Sequence, residues 1–183
     1  MRREIAAVAL ISIALVNGCK DNRLIPRGRA EIVLSEIKLR GAPTVSRRID
    51  SDEGFGRTVM DGIASADSVW LDVAAAIQPA SASAEASLAI ALASALPHAP
   101  ARVLALLAGK YSAEEVCSIP FLKADSTEVI RYHDDAAHAI SLVPDSTLRS
   151  VRAECAAALD SAEVRRLKRI DPGYLIKNKP GRR

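Results

Sequence analysis

An all-α fold is predicted, a small helical bundle or solenoid-like stack of about six to seven helices, and three observations predict it. Aromatic residues make up 3% of the 183-residue chain while alanine is abundant, which favours closely packed helices over the β-branched, aromatic-rich strands of a sandwich. Apolar residues recur every three or four positions along most of the chain. Prolines and capping residues interrupt those runs at helix-length intervals. The apolar fraction of 49% and charged fraction of 26% are ordinary for a globular protein, and the length suits one domain with a real core.

Residues 20–30, KDNRLIPRGRA, read as a polar tether. Ala30 to Arg40 alternates like a strand at Glu36–Arg40, yet Ile32, Val33, Glu36 and Ile37 can share one helical side; with no partner strand nearby, helix is predicted. Asp50 or Ser51 caps a helix to about Ala64 that buries Phe55, Val59 and Ile63, weakened by Gly54, Gly56 and Gly62. Asp67 caps the next, whose face is Trp70, Val73, Ala74 and Ile77, and Pro79 stops it. Ser83 starts a third, with Leu88, Leu92, Ala95 and Leu96 on one face.

Pro97-His98-Ala99-Pro100 forces a turn, because proline lacks the backbone donor a continuing helix needs. The helix after it packs Val103, Leu106 and Leu107 and ends at Gly109. Ser112-Ala113-Glu114-Glu115 opens a short helix with acids at its positive end; it carries Cys117 and is cut by Pro120. Asp125 or Ser126 caps a longer helix through Leu142, with Val129, His133, Ala136 and Ile140 in step. Pro144 breaks it, and Asp145 or Ser146 begins a last core helix to about Asp160, the two forming an antiparallel hairpin. No signature recurs at 34 residues or any other fixed period, so a tetratricopeptide array is not indicated.

The amino terminus reads as an address. Arg2 and Arg3 precede an apolar run from Ile5 to Val16, of secretory length and short of the roughly 20 residues a membrane span needs. Val16-Asn17-Gly18-Cys19 then resembles the lipobox of bacterial lipoprotein precursors, with Val16 and Gly18 fitting the pattern and Asn17 departing from it. That resemblance covers about a tenth of the chain. It implies a signal peptide over residues 1–18, cleavage before Cys19, and a diacylglycerol on the Cys19 thiol. The remainder is similar to small helical proteins of the bacterial envelope, which implies an all-helical fold and no activity.

Three cysteines are present, and an odd count in an exported protein needs an explanation. With Cys19 carrying lipid, Cys117 and Cys155 remain as a pair in an oxidising compartment. Two buried thiols are the alternative, since Cys155 shares an apolar helical face with Leu148, Val151 and Leu159. Without a C-x-x-C spacing the pair does not suggest zinc, and no metal or other cofactor is expected.

His133, Asp134, Asp135 and His138 form the one dense group of functional side chains. Asp134 and His138, at i and i+4, can meet on a helix surface, whereas His133 and His138 are five apart and do not converge as two ligands would. Glu114 and Glu115 are helix neighbours and point about 100° apart, so they do not face one glycosidic bond. No nucleophile elbow, P-loop or dinucleotide fingerprint occurs, and no catalytic residue is assigned.

Charge is unevenly spread. The net charge of +3 combines +1 over residues 1–19, −4 over 20–160 and +6 over 161–183. The readings divide the chain into a signal peptide (1–18), a lipid-anchored tether with an ambiguous first helix (19–48), a helical domain (49–162) and a basic flexible tail (163–183). The expected location is the periplasm, anchored through acylated Cys19, with the outer membrane ahead of the inner. There the tail meets anionic lipid or cell-wall polymer, not nucleic acid. The expected role is non-enzymatic binding of another envelope protein, an immunity or inhibitor protein being one form. A periplasmic enzyme acting on cell-wall material and a structural part of a secretion complex are the alternatives.

Overall fold

The computed structural model describes residues 27–121, 123–144 and 146–173. Cys19 and the whole of the expected signal peptide lie outside them, as do Asp145 and residues 174–183 of the tail. The described residues contain α-helices and one 3-10 turn and no strand, so the all-α expectation holds and the ambiguous Ala30–Arg40 segment is helix.

The helices are α1 (Arg27–Arg40), α2 (Ala42–Ser51), α3 (Glu53–Ala64), α4 (Ser68–Ala76), α5 (Ala82–Ala95), α6 (Pro100–Leu107), α7 (Ala113–Val116), α8 (Ser126–Ser141) and α9 (Arg149–Ile170). The helix that sequence patterning passed over is α2. It follows directly on α1, broken from it by Gly41, whose φ of 82° is open to glycine and strained for other residues. Pro43 sits in the first turn of α2, where its missing N–H costs nothing. Because α2 runs to Ser51, the cap of α3 falls on Asp52 and not on Asp50 or Ser51; its carboxylate accepts the Phe55 N–H at 3.0 Å.

Other starts are set the same way. Asp67 accepts the Val69 N–H, and Ser81 accepts the Ala84 N–H, so α5 begins just ahead of Ser83. Asp125 and Glu128 form a reciprocal capping box on α8, satisfying two donors that a bare helix end leaves open. The far end of α4 is closed by side chains from the α6–α7 loop. Lys110 Nζ donates to the Ala75 carbonyl at 2.7 Å and also to that of Ile77, while the Tyr111 hydroxyl donates to the Ala74 carbonyl at 2.7 Å. A cation among the last carbonyls of a helix is a favourable placement.

One continuous core runs from Ala30 and Val33 of α1 to Leu159 of α9. Trp70, Ile63, Leu88, Leu92, Leu96 and Leu104 are fully buried within it. Each such side chain contributes roughly 1.5–3 kcal/mol over an exposed one. α3 packs on α5, α1 on α4, and α8 on α9; α4 also touches α6, and α7 lies against α9. Cys117, just past α7, and Cys155 of α9 are joined as a disulfide with Cα atoms 5.3 Å apart. The bridge ties the α8–α9 hairpin back to the short helix, as the cysteine count had suggested. α9 continues ten residues past Asp160, held by Leu167, which is buried against Val129 and Ala124.

Candidate functional site

Of the titratable residues in the His133–His138 group, His133 has the most partners. On α8 the stripe Val129, Tyr132, Ala136 and Ile140 is buried, and His133 sits at its edge, turned toward α9. Its Nε2 lies 2.8 Å from Asp160 Oδ1 and 3.8 Å from a Glu163 oxygen, both on α9; its Nδ1 lies 3.3 Å from Asp134 Oδ1. Partial burial pulls the imidazole pKa down, but the hydrogen bond to Asp160, the charge of Glu163 and the contact with Asp134 outweigh it. The net shift is upward from 6.5.

Carboxylates at both ring nitrogens favour the doubly protonated form of the ring. His133 is a strut between α8 and α9 that its protonated form strengthens. Asp134, expected to meet His138, is given to His133 instead. Asp135 and His138 are exposed on α8.

Glu114 lines a shallow depression between α7 and α9 with Glu154, Ser161 and Arg165, and Glu115, Asp134, Asp135 and His138 do not line it. The carboxylates that sequence reasoning singled out are therefore not gathered in that cleft. Among the described residues no group of three His, Cys, Asp or Glu side chains is placed to hold a metal ion. No helix among them is long and apolar enough to cross a membrane.

The remaining feature of note is apolar. The Pro97–Pro100 turn, the start of α6 and the end of α8 enclose an open groove of about 400 Å³. Pro97, Ala99, Pro100, Ala139, Leu142 and Val143 line it, and Leu142 is 66% exposed. Local chemistry explains the character of the rim. Pro97, Pro100 and Pro144 remove three backbone donors from it, and the neighbouring side chains are alanine, valine and leucine. Arg102 at the edge is ion-paired with Asp72 of α4.

No known protein family, curated protein or solved structure matches this chain. The chemistry of the groove follows from its own walls. An apolar depression with one charged corner can take a hydrophobic side chain or a short apolar segment, and its described lining residues include no pair of groups that could pass a proton. Sequence reasoning treated Leu142 only as the end of a helix. The signal was present in two proline-bearing turns, but some forty residues separate them and only the fold brings them together.

Proposed function

We propose that this protein is a lipid-anchored component of the bacterial envelope, held at Cys19, whose helical body binds another envelope protein without catalysing a reaction. The observation that carries the binding role is the exposed apolar groove around Leu142. The proline-rimmed depression beside the exposed leucine offers an apolar seat for a hydrophobic side chain of a partner. The anchoring role is supported by the Val16–Cys19 lipobox resemblance and the apolar run before it.

A tethered binder keeps its recognition surface in the compartment where its target works, which suits an inhibitor or immunity protein. Exposed bases at the end of α9, Arg165, Lys168 and Arg169, add a positive end suited to anionic lipid or cell-wall polymer.

Two measurements test this. Intact-mass analysis of the native protein should show Cys19 as the first residue with acyl mass on it, and Cys19→Ser should release the protein from membranes. Capture from envelope extract should recover a stoichiometric partner with the native protein and lose it with Leu142→Arg. Retention of the partner by Leu142→Arg, or turnover of wall fragments by the purified protein, would overturn the binding reading.

A further inference from the structure

A second exposed apolar surface lies on the opposite side of α1 from its core contacts. Ala30 and Val33 are buried and Ile37 is partly so, while Gly28, Ile32, Ser35 and Leu39 form a stripe spaced four, three and four residues on the outer side. Ile32 is 67% exposed and Leu39 85% exposed. The stripe lines, together with Glu31, Glu36, Arg40 and Arg48, a shallow depression of about 480 Å³. This spacing is that of a helix seam, in which large side chains need small ones opposite.

The stripe supplies its own complement. When a second copy of α1 is laid antiparallel so that Ile32 meets Ser35, Leu39 meets Gly28 in the same register, and each large residue faces a small one. A Cβ at Gly28 would meet nothing within 4 Å, so room for a leucine exists there. The Ser35 hydroxyl already donates to the Glu31 carbonyl at 2.8 Å and needs no partner across the seam.

The flanks agree with that register. In a two-fold antiparallel pair each flank of the helix meets the same flank of its copy. Glu31 and Lys38 stand on one flank and Arg29 and Glu36 on the other. At 1.5 Å per residue, Glu31 falls about 3 Å along the axis from Lys38 of the copy, and Arg29 about 3 Å from its Glu36. Each cross-pair unites opposite charges, but Glu36 is already held by Arg48 at 2.9 Å and Arg40 at 3.6 Å of its own chain, so the two Glu31–Lys38 pairs carry the charge match.

From this double match of size and charge we propose that α1 forms an antiparallel homodimer with a second copy of this chain. The proposal does not rest on the binding role of the groove. A contact one helix wide is smaller than a permanent dimer requires, so half-association is expected on the order of tens of micromolar.

The test is sedimentation of the full chain in density-matched detergent, from about 10 µM to about 500 µM. A monomer–dimer equilibrium is expected. Glu31→Lys alone and Lys38→Glu alone place like charges on one flank twice per dimer, and each should weaken it by about fivefold or more. An equimolar mixture of the two variants should restore association, because every Glu31–Lys38 position then pairs opposite charges again. The double variant should match the native chain. Leu39→Asp should leave a monomer with unchanged helical circular dichroism. Monomer throughout, including one in which residues 1–26 of the same chain cover α1, would overturn the proposal. So would a dimer that ignores the charge reversals.

Discussion

Gly62→Ala should destabilise the protein even though alanine is the better helix former. In the interior of an exposed helix the exchange gains about 1 kcal/mol. At position 62 the new methyl would sit 2.8 Å from Cε3 of Trp70 and closer still to Cδ2 and Cε2. Trp70 has no exposed surface and packs in the α3–α4 contact, so the ring cannot tilt outward. Relief requires α3 and α4 to separate, which loosens Val59 and Ile63 beside them. Overpacking of this kind costs about 1–3 kcal/mol and sometimes more, so a net loss of about 2 kcal/mol is expected at the upper end of that range after the helix gain is taken off. The internal control is Gly54→Ala in the same helix, where the nearest atom to a new methyl is Asp52 Oδ1 at 3.6 Å; it should be neutral or stabilising by up to about 1 kcal/mol. Urea unfolding followed by the emission of Trp70, the one tryptophan of the chain, and by circular dichroism measures both. A Gly62→Ala midpoint equal to or above the native one, with Trp70 emission unmoved, would refute the close-packing account.

The Cys117–Cys155 bridge closes a 38-residue separation, worth about 3.9 kcal/mol by loop entropy, so a reductant should lower the urea midpoint of the native chain and leave a Cys117→Ala/Cys155→Ala variant unchanged. Lys110→Met removes the cation from the last carbonyls of α4 and should cost about 1–2 kcal/mol, and Tyr111→Phe about 1 kcal/mol, both read from thermal unfolding. The raised His133 pKa fixes a sign: its stabilisation is complete below about 6.5, the unfolded value, and fades as pH rises through the folded one. Asp160 and Asp134 are exposed and screened, so the effect should stay below about 1 kcal/mol and shrink with salt. His133→Gln should flatten stability as pH rises above about 6.5; a native profile already flat there would remove the strut from the account.

Much of the architecture is legible locally, because capping and periodicity are local. Asp67, Asp125 and the Trp70–Val73–Ile77 face are where side-chain chemistry alone puts them. What fails to be legible is long-range. Gly56 and Gly62 read as weak points of a helix, yet a Cβ at Gly56 would collide with the Ile49 carbonyl and one at Gly62 with Trp70, so both glycines are close-approach sites between helices. α2 escapes notice because its buried positions, Val45, Ser46 and Ile49, include a serine whose hydroxyl accepts the Gln78 N–H at 3.2 Å. A polar residue satisfied from 32 positions away looks like a break in an apolar pattern. Lys110 goes unnoticed, and the partners of His133 are missed, for the same reason: Ala75 and Asp160 belong to other helices.

The two exposed apolar surfaces are compatible because α4 stands between them. α1 packs on α4, and Asp72 of α4 is the ion-pair partner of Arg102 at the edge of the groove, with no residue common to the α1 depression and the groove. An α1 dimer therefore leaves both copies of the groove open, and a bivalent target would gain from engaging two grooves at once, by a factor set by the effective concentration of the second site. The two surfaces should separate genetically. Leu142→Arg should lose the partner while the monomer–dimer equilibrium is unchanged, and Leu39→Asp should abolish avidity toward a multivalent partner while sparing single-site affinity. If either substitution removed both properties, the surfaces would not be independent, and a single composite interface would have to replace them.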